Sequence, residues 1–163
     1  MPAAARMSTP WGYQRAGESP PRGDGLWDDG RVSARDLDVL AVIAAGGALG
    51  SLARWAVGLA APTTDGLPWG TLLVNVTGSL ALGALMAALL EAGRPGRYLR
   101  PFLAVGVLGG YTTFSAFAVE SWTLLDDGRS GAALGYLAAS VLACLVAVWL
   151  GALSARAAVR RTR

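Results

Sequence analysis

Apolar residues are scattered without period over positions 1 to about 36, a stretch rich in Pro, Gly, Arg and Asp. Such a composition buries too little apolar surface to offset the entropy of ordering, so it predicts a disordered N-terminal tail. From Leu37 the pattern changes. Four long apolar runs follow, at about 37–60, 68–92, 101–125 and 131–155. Between them lie polar segments: Pro62-Thr63-Thr64-Asp65-Gly66, the basic Gly93 to Arg100, and Asp126-Asp127-Gly128-Arg129. Each run is long enough as a helix to cross a hydrocarbon core of about 30 Å. The pattern predicts an all-α membrane protein with four transmembrane helices and a short basic tail over 156–163. A cleaved signal peptide is not expected, because the first apolar run continues at full membrane length.

The polar and small positions inside these runs carry the chemistry. In the first span, Gly46 with Gly50 and Gly47 with Ser51 are four apart, which lets another helix approach closely. Arg54 interrupts the same span; an intramembrane arginine either faces a cavity or partner, or snorkels to an interface. The second span opens with Pro68-Trp69 and carries Thr71, Asn75 and Ser79 at i, i+4, i+8, one polar line on an apolar helix. Such a line commonly bonds helices together. Asn75 stands out, since its primary amide has two N–H groups to offer an anion.

The third span contains the uncharged run Pro101 to Val119, and within it Gly109-Gly110-Tyr111-Thr112-Thr113. Two glycines cost about 1 kcal/mol each against alanine in a helix, and two β-branched threonines follow them. A helix that breaks and restarts is predicted there. Broken backbone at membrane depth survives only where protein or a polar cavity satisfies it, and interrupted helices are a common device for holding ions. Beyond the break, Phe114 and Phe117 are three apart on one face, with Glu120 a turn further. Aromatics so spaced ordinarily pack, but their positive ring edges also suit an anion. Glu120 either pairs or borders a water-filled vestibule. The fourth span has small residues at Ala139, Ala143, Ala147 and Gly151, a close-packing face, and Tyr136 with Ser140 on another face.

Composition narrows the function. The 163 residues are 53% hydrophobic and 15% charged, with no histidine. The single cysteine, Cys144, excludes an internal disulfide and multi-cysteine metal sites, and without histidine the common metalloenzyme and Cys-His constellations fall away. No nucleotide-binding motif occurs, and no enzymatic activity is expected. All fourteen basic residues are arginine, and most flank the apolar runs. That placement makes membrane topology, rather than nucleic acid, the reason for a pI near 9.6. Four spans put Arg31, Arg35, Arg94, Arg97, Arg100, Arg156, Arg160, Arg161 and Arg163 on one side and only Arg129 on the other. Both termini are therefore expected in the cytoplasm of a cell with this chain in its plasma membrane.

Taken together, these strings resemble the Fluc/CrcB fluoride channels. The resemblance rests on Gly46-Gly47-Ala48-Leu49-Gly50-Ser51-Leu52-Ala53-Arg54, on Gly70-Thr71-Leu72-Leu73-Val74-Asn75, on Gly109-Gly110-Tyr111-Thr112-Thr113-Phe114-Ser115-Ala116-Phe117, and on Tyr136 with Ser140. It covers roughly 38–155. It implies an antiparallel dimer of four-helix subunits, with fluoride pores along the interface and passive export that relieves fluoride toxicity. The expected pore residues are Asn75, Thr113, Phe114, Phe117, Tyr136 and Ser140, with Arg54 at a vestibule and Glu120 near the pore end. A structural Na⁺ is expected on the backbone carbonyls of Gly109 and Thr112, hard oxygen donors suited to it.

One departure matters. A chain that pairs with itself head to tail needs balanced loop charge, and this one is strongly biased. The expectation is a fixed-orientation subunit that pairs with an oppositely oriented homologue. Two other classes compete: a small proton-coupled multidrug exporter, which needs a carboxylate in its first span, and a purely structural membrane protein. Between Val39 and Ala60 there is Arg54 and no carboxylate, which argues against the exporter.

Overall fold

The computed structural model describes residues 34–61, 66–91 and 96–161. The tail expected over 1–36 lies outside them as far as Ser33. The described regular structure is helical: α1 (Ala34–Ala60), α2 (Trp69–Glu91), a π-helical segment Pro101–Val107 running into α3 (Leu108–Tyr111), α4 (Ser115–Asp126) and α5 (Ser130–Arg161). Four stretches are long and apolar enough to cross a membrane, the third being Pro101–Asp126 taken as one unit. That third span is interrupted at Thr112 to Phe114, where the sequence predicts a break. At 32 residues, α5 is the longest helix and continues past the apolar run to Arg161. At 1.5 Å per residue it measures about 48 Å, more than a hydrocarbon core, so its arginine-bearing end projects beyond the lipid.

Glycine sets where the helices touch. α2 packs extensively along α5. There Gly83 lies against the Val148 backbone, and Gly151 lies against Leu80 and Ala84. Ala147 and Gly151, from the small stripe of α5, are buried in this seam, whereas Ala139 is exposed. The third span meets α1 in a second glycine seam: Gly46 and Gly50 face Gly106 and Val107, and Gly110 faces Gly47. Pro101 opens the π-helical segment, where its missing N–H costs no hydrogen bond. At the far end, Gly128 adopts φ +72° and closes α4, its amide donating to the Leu125 carbonyl at 3.0 Å and the Arg129 amide to Leu124 at 2.9 Å. A left-handed glycine is the usual way to end a helix. One core cluster is formed by Leu124, Ala133 and Tyr136 with Leu67, Leu72 and Phe117 against them, and Val74, Ala87, Leu89 and Ala147 are buried as well.

At the start of the first span, a clasp ties α1 to the segment leading into the third span. Asp38 accepts from Arg97 Nη2 at 2.9 Å and from the Tyr98 hydroxyl at 2.8 Å. The Arg97 guanidinium also lies 5.2 Å from the Tyr98 ring centre. The Tyr98 phenol is pushed above its ordinary value of 10.0, first because its proton bonds Asp38 and then by desolvation, with Arg97 opposing. A raised folded-state value means that the clasp's contribution is complete below the ordinary phenol pKa and is lost as pH rises through the raised one. Melting curves taken with rising alkalinity should therefore show a loss of stability that Tyr98→Phe lacks. Because the groups are exposed, that loss is small.

Candidate functional site: a broken helix between two cavities

Breaking a helix frees backbone groups, and named side chains take up several of them. At Thr112 the backbone turns extended, with φ −81° and ψ 160°. The Thr113 amide N–H donates to Asn75 Oδ1 at 2.9 Å, and Asn75 Nδ2 donates back to the Thr113 carbonyl at 2.9 Å. One carboxamide thus satisfies both polar groups of one peptide residue, as a neighbouring strand would. The Ala116 amide donates to Thr113 Oγ1 at 3.2 Å, which caps the start of α4. On the α1 side, Arg54 Nε donates to the Gly110 carbonyl at 3.2 Å. Through this bond Arg54 braces the break from the α1 side.

These bonds also account for what they draw away. The Thr113 and Ala116 amides are the ones that would close ordinary helical bonds onto the Gly109 and Thr112 carbonyls. Both amides point elsewhere. The Gly109 and Thr112 carbonyls are thereby relieved of their helical donors, and they are the two expected to hold a cation.

The polar line on α2 divides its labour. Asn75 serves the break, while Thr71 Oγ1 donates to Glu120 Oε1 at 2.6 Å. The Tyr136 hydroxyl donates to Glu120 Oε2 at 2.9 Å. Tyr136 is therefore committed to Glu120, and its ring packs on Phe117 with centroids 5.4 Å apart. Thr71 in the role of fastener for Glu120 was missed in the sequence, although its place on the polar line was visible. Phe117 and Phe114 lie 5.9 Å apart at 50°, tilted so that edge meets face. Phe114 is 78% exposed, a large apolar ring left mostly uncovered by the described residues.

Two cavities flank the break. One, of about 210 Å³, is bordered by Arg54, Thr71, Thr113 and Glu120. It brings a cation and an anion to one space, although among the described residues the two form no direct ion pair. The other, of about 520 Å³, is bordered by Asn75, Thr112, Thr113, Phe114, Phe117 and Ser140, among others. Thr113 borders both, so the break separates them. Ser140 is buried, and its Oγ has no hydrogen-bond partner. No cluster of three or more His, Cys, Asp or Glu occurs among the described residues, so a cation here would rest on backbone oxygens.

A bundle of four membrane-length helices, the third interrupted and braced from two sides, defines a multi-pass membrane protein of the discontinuous-helix class. Residues 41–152 match the family described as CrcB-like protein, Camphor Resistance (CrcB), and the chain belongs to that family. It is 48% identical over 134 residues to "Fluoride-specific ion channel FluC 2" of Nocardia farcinica (strain IFM 10152), covering 82% of this chain and 96% of that one. It is 54% identical over 110 residues to "Fluoride-specific ion channel FluC" of Paracoccus denitrificans (strain Pd 1222), covering 67% and 87%. With the protein of that name from Rhizobium meliloti (strain 1021), 44% identity extends over 125 residues, 76% of this chain and all of the relative.

Proposed function

We propose that this chain is a subunit of a fluoride-selective channel that lets cytoplasmic fluoride leave the cell passively. One observation carries the reading: a helix broken at mid-span, held open by Asn75 and Arg54, with a phenyl pair and an unpartnered buried hydroxyl on one side of it. Fluoride is small and strongly hydrated, so a selective path has to replace its water by short donors without binding it so tightly that it cannot leave. The second N–H of Asn75, the Ser140 hydroxyl and the ring edges of Phe114 and Phe117 are donors of that kind. Thr113 and Arg54 work at one remove, by fixing the backbone between the cavities. Glu120, held by Thr71 and Tyr136, borders the smaller cavity and would shape the pore end.

The Na⁺ reading is supported by the donor set. The Gly109 and Thr112 carbonyls lack their usual amide donors, and a hard cation matches such oxygens. When bound, the ion would offset the partial charge of these two freed oxygens. A partner is supported by how little the chain covers its own third span, the least buried of the four. Irregular backbone at membrane depth is not left to lipid. The arginine bias, nine flanking positions against one, supports a single orientation with both termini cytoplasmic in the plasma membrane. An antiparallel dimer then requires an oppositely oriented homologue.

The test is fluoride efflux from liposomes made with this chain alone and with a four-span homologue of opposite arginine bias, while a C-terminal reporter maps orientation in cells. The expected result is one orientation, and efflux of fluoride but not chloride only when both chains are present. Equal passage of chloride, or no efflux with any partner, would sink the channel reading. Insertion both ways with conduction by the single chain would sink only the fixed orientation.

A further inference from the structure

The Gly109 and Thr112 carbonyls are carried by one turn of helix and its end. That turn, α3 (Leu108–Tyr111), is four residues long, too short to hold its own orientation by helical bonds alone. Arg54 grips the backbone at Gly110, and Asn75 grips it at Thr113. Tyr111, between those two points, is held through its side chain. Its hydroxyl lies 2.9 Å from Thr77 Oγ1 on α2. Thr77 donates its one proton to the Leu73 carbonyl at 2.7 Å, so the phenol is the donor to Thr77. The Tyr111 ring and the Thr112 methyl group both rest on α2 at buried Gly78, where an added Cβ would lie 3.3 Å from Tyr111 Cδ1. Thr77 also borders an apolar groove with Leu80, Leu142 and Val146. Such surroundings at membrane depth offer no competitor for the phenol proton, which strengthens the bond.

We propose that Tyr111 and Thr77 are a positioning pair: their bond fixes the rotation of α3, and with it the angle at which the Gly109 and Thr112 carbonyls meet the cation. This deepens the Na⁺ reading above and rests on it. A turn rotating about its own axis swings both carbonyls together, and a coordinating set works only within narrow limits of angle and distance. Of the four residues of α3, Leu108 is apolar and Gly109 and Gly110 have no side chain. Tyr111 is therefore the polar hold of this turn on α2. Neither hydroxyl is offered to the ion, because the phenol donates to Thr77 and Thr77 to Leu73. Neither residue borders either of the two cavities that flank the break, so neither meets the anion. The pair acts through the backbone alone.

The test follows melting of the assembled channel, with its partner chain unaltered, in N-methyl-D-glucamine buffer at rising Na⁺. The unsubstituted assembly should gain stability with Na⁺, as any protein does from a ligand bound only when folded. Tyr111→Phe keeps the ring and loses the proton. It should raise the Na⁺ concentration of half-effect about threefold to tenfold, the factor that one neutral hydrogen bond supplies. Thr77→Val should shift it alike, and the double substitution no further than the larger single one. Thr77→Ser, which keeps the hydroxyl, should leave it in place. A uniform drop in melting at every Na⁺ concentration, with the half-effect point unmoved, would make the pair merely structural and overturn the proposal. Shifts that multiply in the double variant would overturn the pairing. Melting of the unsubstituted assembly that ignores Na⁺ would overturn the cation reading, and this proposal with it. Fluoride efflux recorded on the same preparation reports on the channel reading separately.

Discussion

Asn75→Leu is expected to abolish most fluoride efflux and to lower the melting point of the subunit, though leucine suits a membrane helix far better than asparagine. The reason is the reciprocal pair of 2.9 Å bonds between its carboxamide and the Thr113 backbone. Leucine leaves an amide N–H and a carbonyl unpaired where water is scarce. Each unsatisfied group costs about 1–3 kcal/mol, together roughly 2–6 kcal/mol. With about 1.4 kcal/mol per tenfold change in population, the open break should become at least about 30-fold rarer. Ser79→Ala is the proper comparison. Ser79 lies one turn along the same face and borders the same cavity, but bonds no part of the break. It should change efflux only a few-fold and leave melting alone. If the two substitutions behaved alike, the polar line would act merely as a polar line, and the bracing role of Asn75 would be wrong.

Much of this architecture is legible in the chain, for reasons that differ by element. The spans stand out because apolar runs of this length have few alternatives in water. The break at Thr112 stands out because adjacent glycines and threonines weaken a helix whatever surrounds it. Which groups would repair the break is another matter. Arg54 is 56 positions from Gly110, and only the seam of Gly46, Gly47 and Gly50 against the third span brings them together. The sequence shows that an intramembrane arginine needs a partner but not that the partner is a carbonyl. Tyr136 and Glu120 illustrate the same limit. Each shows as a polar group on an apolar helix, and their bond depends on how α4 and α5 meet after the Gly128 turn. The π-helical course of Pro101–Val107 has no compositional mark at all. Wider turns of this kind arise inside ordinary helical sequences, often near functional sites. Here the segment delivers Gly106 directly onto Gly46.

That glycine seam gives the second large expected effect. Gly110→Ala should empty the membrane of folded subunit, whereas Gly109→Ala, one residue earlier, should leave the subunit's own packing intact. A methyl group on Gly110 would come within 3.0 Å of Gly47 Cα and 3.1 Å of its carbonyl carbon. Those are backbone atoms, so relief requires α1 to move bodily, and overpacking of this sort costs about 1–3 kcal/mol. Moving α1 also withdraws Arg54 from the Gly110 carbonyl, which unpairs a part-buried acceptor and adds about 1 kcal/mol more. On Gly109 the same methyl meets nothing of this chain within 4 Å. Alanine even gains about 1 kcal/mol of helix propensity there. Any defect of Gly109→Ala must therefore come from what lies outside the subunit, such as the proposed partner or the proposed cation. Folded yield and melting of each variant, followed by dimer cross-linking and efflux, separate the cases. Loss of folding in Gly110→Ala, with Gly109→Ala folded but poorly paired, is the outcome this packing requires. Equal tolerance of both would mean that α1 does not rest on the break.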